Sequence, residues 1–164
     1  MTHYFEDIVI AQPIELGSHS FSREEIISFA SRFDPQPFHL DEDAARDSIF
    51  GGLCASGWHT ASVLIRLLVQ HRLAISETFV SRGQTPPSLG PSPGVRDLRW
   101  LKPVYAGDVI SFSTTPLEKR VSRSRPQWGI VTSQHEGRNQ KGETVISMRA
   151  AVFIERRTPL ATGA

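Results

Sequence analysis

Residues 56–73 read SGWHTASVLIRLLVQHRL, and this stretch decides how the rest of the chain is arranged. Ser56 suits a helix N-cap, because a serine hydroxyl can accept a hydrogen bond from a backbone N–H of the first turn. Apolar side chains then surround most of the helix axis: Ala61, Val63, Leu64, Ile65, Leu67, Leu68 and Val69. A helix that is apolar nearly all round is a buried one. The stretch therefore predicts a central helix that the rest of the chain covers, with only Arg66 and the His71-Arg72 end in water.

The second half of the chain supplies a sheet to cover that helix. Four segments rich in β-branched and aromatic residues predict strands at 95–104, 109–115, 128–136 and 143–155. Their short connections favour an antiparallel meander. Helices followed by such a sheet define an α+β domain. A sheet wrapped around one long buried helix is a hot-dog fold, although the pattern alone fits other α+β layouts as well.

Composition excludes several classes of protein. The chain has 164 residues, 39% hydrophobic and 21% charged, which is typical of one soluble globular domain spanning residues 1–164. A formal net charge of +1 argues against nucleic-acid binding through bulk charge. No apolar run approaches the ~20 residues that span a bilayer, and the N-terminus does not resemble a secretory signal. The single cysteine, Cys54, can form no internal disulfide, so we expect a cytoplasmic protein without membrane contact.

A first helix precedes the central one. Ser22 and Glu25 have the spacing of a capping box, and the apolar residues that follow predict a helix of about three turns. This helix ends at Asp34, because a residue before proline, here Pro35, disfavours the helical region. Asp41 can cap a further short helix.

The segment RFDPQPFHLD, residues 32–41, carries the main candidates for chemistry. Pro35 and Pro37 each fix their own φ, so the backbone between Asp34 and His39 has few conformations. A carboxylate and an imidazole at fixed separation can bind, orient and deprotonate one water molecule. The alternative is that Asp34 only terminates a helix, since Asp-Pro pairs favour turns.

The start of the central helix is the second candidate feature. A helix N-terminus presents unpaired N–H groups and a partial positive charge. Gly57 would let a ligand approach that backbone closely. Such a site suits a thioester carbonyl oxygen that gains negative charge. The alternative is that Gly57 only relieves packing between helix and sheet.

Several motifs in a fixed order resemble one family. They are Asp34-Pro35-Gln36-Pro37-Phe38-His39, then Cys54-Ala55-Ser56-Gly57-Trp58, then Arg99-Trp100-Leu101-Lys102-Pro103-Val104-Tyr105-Ala106-Gly107-Asp108. The chain is similar to the MaoC-like dehydratases, relatives of (R)-specific enoyl-CoA hydratases. Asn139, Gln140, Gly142 and Glu143 also fit the last hairpin of that family. Motifs that recur in the same order are more specific than any one alone.

The resemblance implies a hot-dog fold and a reaction. The reaction is hydration of a trans-2-enoyl-CoA to a 3-hydroxyacyl-CoA, or the reverse. The family's catalytic aspartate and histidine fall on Asp34 and His39, and its oxyanion-binding glycine falls on Gly57. Coenzyme A enters as part of the acyl-CoA substrate, with no metal and no other cofactor. A homodimer or higher homo-oligomer is also implied. One departure concerns the hydroxyl that orients the catalytic pair in some members, since that position is aliphatic here, near Ile65.

Pro37, Ser56, Trp58 and Arg99 are the candidates for substrate contact. Trp58, Trp100 and Trp128 could shape an acyl pocket, with core packing as the alternative. Arg99 belongs to a group of basic residues that could meet the phosphates of coenzyme A. The alternative for each of these residues is an ordinary solvated strand face.

Other reactive side chains have simpler interpretations. Cys54 could be a nucleophile, but a cysteine usually packs as a small buried residue. His39, Asp41 and His59 lack a compact metal-binding pattern, and we expect His59 to be a helix residue with a satisfied ring. Two other functions remain open: a hot-dog acyl-CoA thioesterase, and a non-catalytic acyl-CoA-binding subunit. The sequence also leaves open whether the Pro/Gly/Ser-rich residues 81–95 form a lid.

Overall fold

The computed structural model describes residues 4–157, so residues 1–3 and 158–164 of the predicted domain lie outside the described part. A 3-10 turn at Phe5–Asp7 precedes the main elements. These are β1 (Ile14–Ser20), α1 (Arg23–Phe33), α2 (Pro37–Leu40), α3 (Glu42–Arg46), α4 (Gly57–Ser81), β2 (Val95–Trp100), β3 (Val109–Val121), β4 (Trp128–Arg138) and β5 (Thr144–Glu155). The α+β class is confirmed.

One antiparallel sheet contains all five strands in the order β1-β3-β4-β5-β2. The predicted meander holds for β3, β4 and β5, but it is wrong for β2, which pairs with β5. The chain leaves the sheet after β2 and contacts the segment before α4, where Ala55 N donates to Val104 O at 2.7 Å. Strand β1 was not predicted. It bulges at Gly17, whose φ is 107°, and none of its side chains is fully buried.

Helix α4 lies at the centre of the molecule and confirms the hot-dog fold. It begins after Ser56, whose hydroxyl accepts from Trp58 N at 3.2 Å, and it runs well beyond the predicted end at residue 73. Leu64 and Leu68 face the inner surface of the sheet. They belong to one apolar core with residues of the strands, of α1 and of the turn between β1 and α1: Phe21, Ile26, Ile110, Phe112, Val145, Ile146 and Met148.

The expectation that α4 is buried all round is wrong for one stripe. The exposed fractions of Ile65, Val69 and Leu73 are 46%, 49% and 58%. The sheet covers one side of α4 and the short helices cover only part of the rest, so this stripe faces outward. Conversely, His71 and Arg72 were expected in water, but both are partly buried and line a cavity.

The predicted caps of α1 and α3 are present, but the capping box of α1 is incomplete. The hydroxyl of Ser22 accepts from Glu25 N at 3.2 Å, as an N-cap should. The side chain of Glu25 does not complete a capping box, because it bonds His19 Nε2 at 2.9 Å. Asp41 caps α3 by accepting from Ala44 N at 2.8 Å, as predicted.

Residues 84–94 lie along the C-terminal end of β5. Gly90 N donates to Phe153 O at 2.8 Å, and Glu155 N donates to Ser88 O at 3.0 Å. These bonds hold the middle of the segment against the sheet. Among residues 4–157, no helix has an apolar stretch long enough to cross a membrane.

Candidate active site

Two short turns bring the predicted catalytic pair together. Asp34 is the C-cap residue of α1, where its N–H donates to Ala30 O at 2.9 Å. Pro37 is the first residue of α2, a position that needs no N–H donor and suits the fixed φ of proline. This one-turn helix carries His39 back towards Asp34. Pro37 therefore acts through a helix start, where the sequence predicted a stiff loop.

His39 is buried, with 5% of its surface exposed, and both ring nitrogens have defined surroundings. Its Nδ1 lies 2.7 Å from the carbonyl oxygen of Cys54. A carbonyl oxygen only accepts hydrogen bonds, so Nδ1 must carry the proton. In the neutral ring, Nε2 then holds the free lone pair, and it lies 3.5 Å from Asp34 Oδ2. The tautomer is thus the one that a general base facing Asp34 requires.

Asp34 is held as a carboxylate by hydrogen bonds. Its Oδ2 accepts from Ser56 Oγ at 2.7 Å, and its Oδ1 accepts from Gln36 Nε2 at 2.8 Å. The Ser56 hydrogen bond is the main reason why the pKa of Asp34 lies below its usual value. The Gln36 bond acts in the same direction, against partial burial. Asp34 is therefore ionised at neutral pH.

The hydroxyl that orients the pair comes from an unexpected place. The sequence pointed to a missing hydroxyl near Ile65 on the central helix. In the structure Ser56 supplies the hydroxyl from the N-cap position, one residue before α4 begins. Ser56 is 1% exposed and absent from the wall of the adjacent cavity as far as the described residues show. Its predicted substrate contact stays a prediction, while its bond to Asp34 is observed.

The geometry of the pair suits a molecule that donates two hydrogen bonds. Asp34 Oδ2 and the neutral His39 Nε2 are both acceptors, so no hydrogen bond can join them directly while His39 is neutral. A molecule that lies beside both atoms and donates one hydrogen to each would satisfy them. Water is the smallest such molecule, and His39 Nε2 is then placed to take its proton.

Gly57 lies in the wall of the same cavity, at the first position of α4. Within the described residues its N–H has no hydrogen-bond acceptor, as expected for the first turn of a helix. The indole of Trp100 packs on its Cα, and a Cβ added at Gly57 would lie 2.5 Å from Trp100 Nε1. A side chain here would displace the indole, so packing accounts for the glycine and also leaves its N–H available to a ligand.

The cavity in front of the pair has a volume of about 550 Å³. Trp58 and Trp100 lie in its wall, with their rings edge to face at 5.1 Å. Lys102 also lies in the wall, and its Nζ is 2.7 Å from Glu143. Among the residues that the structure describes, neither Pro37 nor Arg99 lines the cavity. Further wall residues are mostly apolar: Phe38, Phe50, Ala55, Leu101, Pro103, Val104 and Val145.

One functional group escaped the sequence altogether, namely the carbonyl oxygen of Cys54 that fixes the His39 tautomer. Every residue has a carbonyl, so no sequence signal marks this one. The Cys54 thiol is 1% exposed, and burial raises its pKa to about 11. A thiol that stays protonated at neutral pH is a poor nucleophile, which supports the packing interpretation.

His59 differs from expectation. Its Nδ1 is buried and has no hydrogen-bond partner, and its ring stacks on Phe29 with centroids 4.6 Å apart. The nearest carboxylate, Glu25, lies 3.7 Å from Nε2. The prediction of a satisfied ring is therefore wrong. Burial lowers the pKa of His59. Over residues 4–157, no three His, Cys, Asp or Glu side chains are placed to hold a metal ion together.

The hot-dog sheet and the carboxylate–imidazole pair define the class of the protein, a hot-dog domain of the hydratase and dehydratase type. Residues 7–139 match the model of the MaoC like domain, and the chain belongs to that family. The sequence resemblance is thereby confirmed.

Individual relatives agree with this assignment. The crystal structure of a MaoC-like dehydratase from Rhodospirillum rubrum is 39% identical and has a TM-score of 0.78, covering 94% of this chain and 98% of that one. The uncharacterized protein YdeM of Bacillus subtilis is 27% identical over 151 residues, covering 92% of this chain and 98% of YdeM. A mesaconyl-CoA hydratase from Haloarcula marismortui is 44% identical over 70 residues. That match covers 42% of this chain and 20% of the enzyme.

Proposed function

We propose that the protein adds water to a trans-2-enoyl-CoA, or removes it from a 3-hydroxyacyl-CoA. The observation that carries the proposal is the arrangement of His39 and Asp34. The Cys54 carbonyl fixes the His39 proton on Nδ1, and Nε2 faces an ionised carboxylate at 3.5 Å. Membership of the MaoC-like family and the partial match to a mesaconyl-CoA hydratase support the same chemistry.

The first step activates water. A water molecule between Asp34 Oδ2 and His39 Nε2 donates a hydrogen bond to each. His39 takes a proton while the water oxygen attacks C3 of the enoyl group. Asp34 stabilises the imidazolium that forms, because its ionised carboxylate lies 3.5 Å away. Ser56 and Gln36 hold that carboxylate in place during the reaction.

The second step places the negative charge and returns the proton. As oxygen bonds to C3, negative charge moves to the thioester oxygen, and the Gly57 N–H at the positive end of α4 stabilises it. The proton taken by His39 then passes through Asp34 to C2 of the substrate. The sum of both steps is addition of one water molecule across the double bond. Only protein groups and water take part, so the proposal requires no metal ion and no redox cofactor.

The substrate lies in the cavity that the pair faces. The apolar wall, with Phe38 and the indoles of Trp58 and Trp100, suits the acyl group. Lys102 lies in the wall and Arg99 is close to it in sequence on β2. Both are candidates for contact with the phosphates of coenzyme A, which enters as part of the substrate. The relative that acts on mesaconyl-CoA makes a branched, dicarboxylic acyl group one of the substrates to test.

A homodimer completes the proposal. Ile65, Val69 and Leu73 form an exposed apolar stripe on α4, and β2 is an edge strand of the sheet. Edge strands and large apolar patches are surfaces that other chains cover. A second copy joined along these surfaces would bury the stripe. Analytical ultracentrifugation tests this, and a monomer at micromolar concentration would contradict it.

The product formed from crotonyl-CoA tests the reaction. We expect the absorbance of the conjugated enoyl band to fall, with no release of free thiol. Thiol release would identify a thioesterase. Stabilisation by crotonyl-CoA without turnover would identify a binding subunit. The same assay with mesaconyl-CoA and longer enoyl thioesters defines the acyl group.

A further inference from the structure

A second cavity lies at the other end of α4. Its volume is about 420 Å³, and it is lined by the second half of α4, by residues of β3, β4 and β5, by the residues before and at the start of β1, and by two residues of the 84–94 segment. Most of its wall is apolar, including Ile8, Pro13, Leu68, Ile75, Pro87, Leu89, Val131, Val152 and Ile154. The volume of the cavity is within the range typical of small-molecule sites.

This cavity is separate from the candidate active site. The two cavities share no wall residue among those that the structure describes. Arg72 follows Gly57 by fifteen positions on one continuous helix, which corresponds to about 22 Å along the axis at ~1.5 Å per residue. The catalytic pair therefore leaves the chemistry of this second cavity unexplained.

Arg72 gives the cavity an unusual charge. Its side chain is partly buried in the wall, and burial lowers its pKa. No carboxylate within residues 4–157 pairs with it, and no hydrogen bond to its guanidinium is present there. A partly buried cation without a partner is costly, because it has lost water and gained no compensating charge.

Two histidines lie beside this cation. His135 is 4% exposed, and its Nδ1 has no hydrogen-bond partner. Burial and the charge of Arg72 lower the pKa of His135 to about 4, and they also lower that of His71. Both rings are therefore neutral near pH 7, and each can offer one N–H. Buried polar groups of this kind nearly always have a partner.

The acidic residue in the wall is already engaged. Asp7 accepts from Arg157 Nη1 at 3.1 Å and from Tyr4 N at 3.2 Å. The remaining polar wall groups near the basic residues are hydroxyls and one amide: Gln12, Ser76, Thr114 and Ser133. Apart from Asp7, which is bonded to Arg157 and Tyr4, the polar part of the cavity thus combines one unpaired cation with neutral hydrogen-bonding groups, while the rest is apolar.

We propose that this cavity binds a small organic acid, with its carboxylate on Arg72 and His135 and its apolar chain along Leu68, Val131 and Ile154. A guanidinium matches a carboxylate in shape and charge and can hold it through two parallel hydrogen bonds. One cation suits one negative charge, and the apolar wall suits a hydrocarbon chain. The inference does not depend on the proposed function, since it uses none of the groups of the catalytic pair.

Calorimetric titration of the full chain with octanoate tests the proposal, with 1-octanol as the uncharged probe. We expect saturable octanoate binding and at least ~10-fold weaker binding of octanol, since a charge-assisted hydrogen bond contributes about 1.5–3 kcal/mol. Octanol binding as tight as octanoate, or no saturable octanoate binding below about 1 mM, would overturn the proposal.

Arg72→Met tests whether the Arg72 guanidinium holds the carboxylate of the ligand. Methionine removes the charge and keeps an unbranched apolar side chain. We expect the variant to fold and to weaken octanoate binding at least ~10-fold with little change for octanol. Arg66→Met is the matched control, because it removes a cation of the same helix that bonds His19 outside the cavity. Equal affinities in the wild type and Arg72→Met would refute the assignment.

The NMR signals of the imidazole rings give an independent readout of position. Octanoate should shift the ring resonances of His135, which His135→Phe identifies by their disappearance, and leave those of His39 in place. Shifts confined to His39, together with competition against crotonyl-CoA, would place the ligand in the active site and contradict the proposal.

Discussion

Two buried histidines show what separates a candidate base from a buried ring. His39 and His135 have nearly equal exposure, 5% and 4%. His39 donates from Nδ1 to the Cys54 carbonyl and faces Asp34 with Nε2. His135 has no partner for Nδ1, and the charged group that acts on it is the cation Arg72. Burial alone makes the charging of a ring unfavourable. An orienting acceptor and a nearby carboxylate are what prepare a ring to take a proton.

The largest expected effect comes from substitutions in the pair of His39 and Asp34. We expect His39→Ala and Asp34→Asn each to lower kcat for enoyl-CoA hydration at least ~100-fold, the scale of general acid–base catalysis. His135→Phe should keep wild-type kcat, because its ring lies in the other cavity. Near-normal turnover in either variant of the pair would remove the assignment of Asp34 and His39.

The next effect concerns stability in acid. The pKa of His135 is about 4 in the folded protein and ~6.5 in an unfolded chain. Between these values the unfolded state binds a proton that the folded state does not. Stability is therefore complete above pH ~6.5 and falls as the pH drops towards 4, by about 2 kcal/mol between pH 7 and pH 5.

His135→Phe removes this contribution, since phenylalanine does not titrate. Urea denaturation at pH 7 and pH 5 measures the loss for the variant and the wild type. The variant should lose less stability than the wild type over this range. Equal losses would show that His135 is not the group that makes the fold sensitive to acid.

A smaller effect separates the two roles of Ser56. Ser56→Ala removes both the helix cap and the hydrogen bond to Asp34. We expect kcat to fall about 10-fold, because a hydrogen bond to a charged group contributes about 1.5–3 kcal/mol. The pKa of Asp34 should also rise, which NMR titration of its carboxyl carbon can follow.

Ser22→Ala is the matched control for Ser56→Ala, because Ser22 caps α1 and does not touch Asp34. Both substitutions should lower Tm, each by the loss of about 1 kcal/mol for a cap, but only Ser56→Ala should lower kcat. If both variants lost stability and kept wild-type kcat, Ser56 would be a cap and nothing more.

The smallest expected effect is a change in KM when either of two basic residues near the active-site cavity is replaced. Lys102 lines the cavity and pairs with Glu143, whereas Arg99 is not in the wall among the described residues. We expect Lys102→Met to raise KM for crotonyl-CoA about threefold, on the scale of an exposed ion pair, and Arg99→Met to raise it less. A larger effect at Arg99 would place the coenzyme A phosphates closer to Arg99 than to Lys102.

Much of the fold could be predicted because local chemistry encodes it. Ser22, Asp41 and Ser56 each cap the helix that the sequence assigned to them. The end of α1 at Asp34 follows from Pro35, and the apolar sequence of α4 predicted a central helix. The candidate catalytic pair came from two residue types at a short spacing, and the family resemblance came from short motifs in a fixed order along the chain.

The remaining features depend on contacts between distant residues. Strand β2 pairs with β5 although β3 and β4 lie between them in the sequence, and no turn residue signals this pairing. The Cys54 carbonyl reaches His39 across fifteen positions of the sequence. The exposed stripe of α4 looked buried, because periodicity shows that a residue is apolar but not which partner covers it.

The position at which oxygen from water enters the product distinguishes hydration from thioester hydrolysis. Crotonyl-CoA is incubated with the protein in oxygen-18 water, and the products are analysed by mass spectrometry. We expect an intact thioester with the label in a hydroxyl on C3, and loss of that product in His39→Ala. Label in a free carboxylate, with release of coenzyme A, would contradict the proposed hydration.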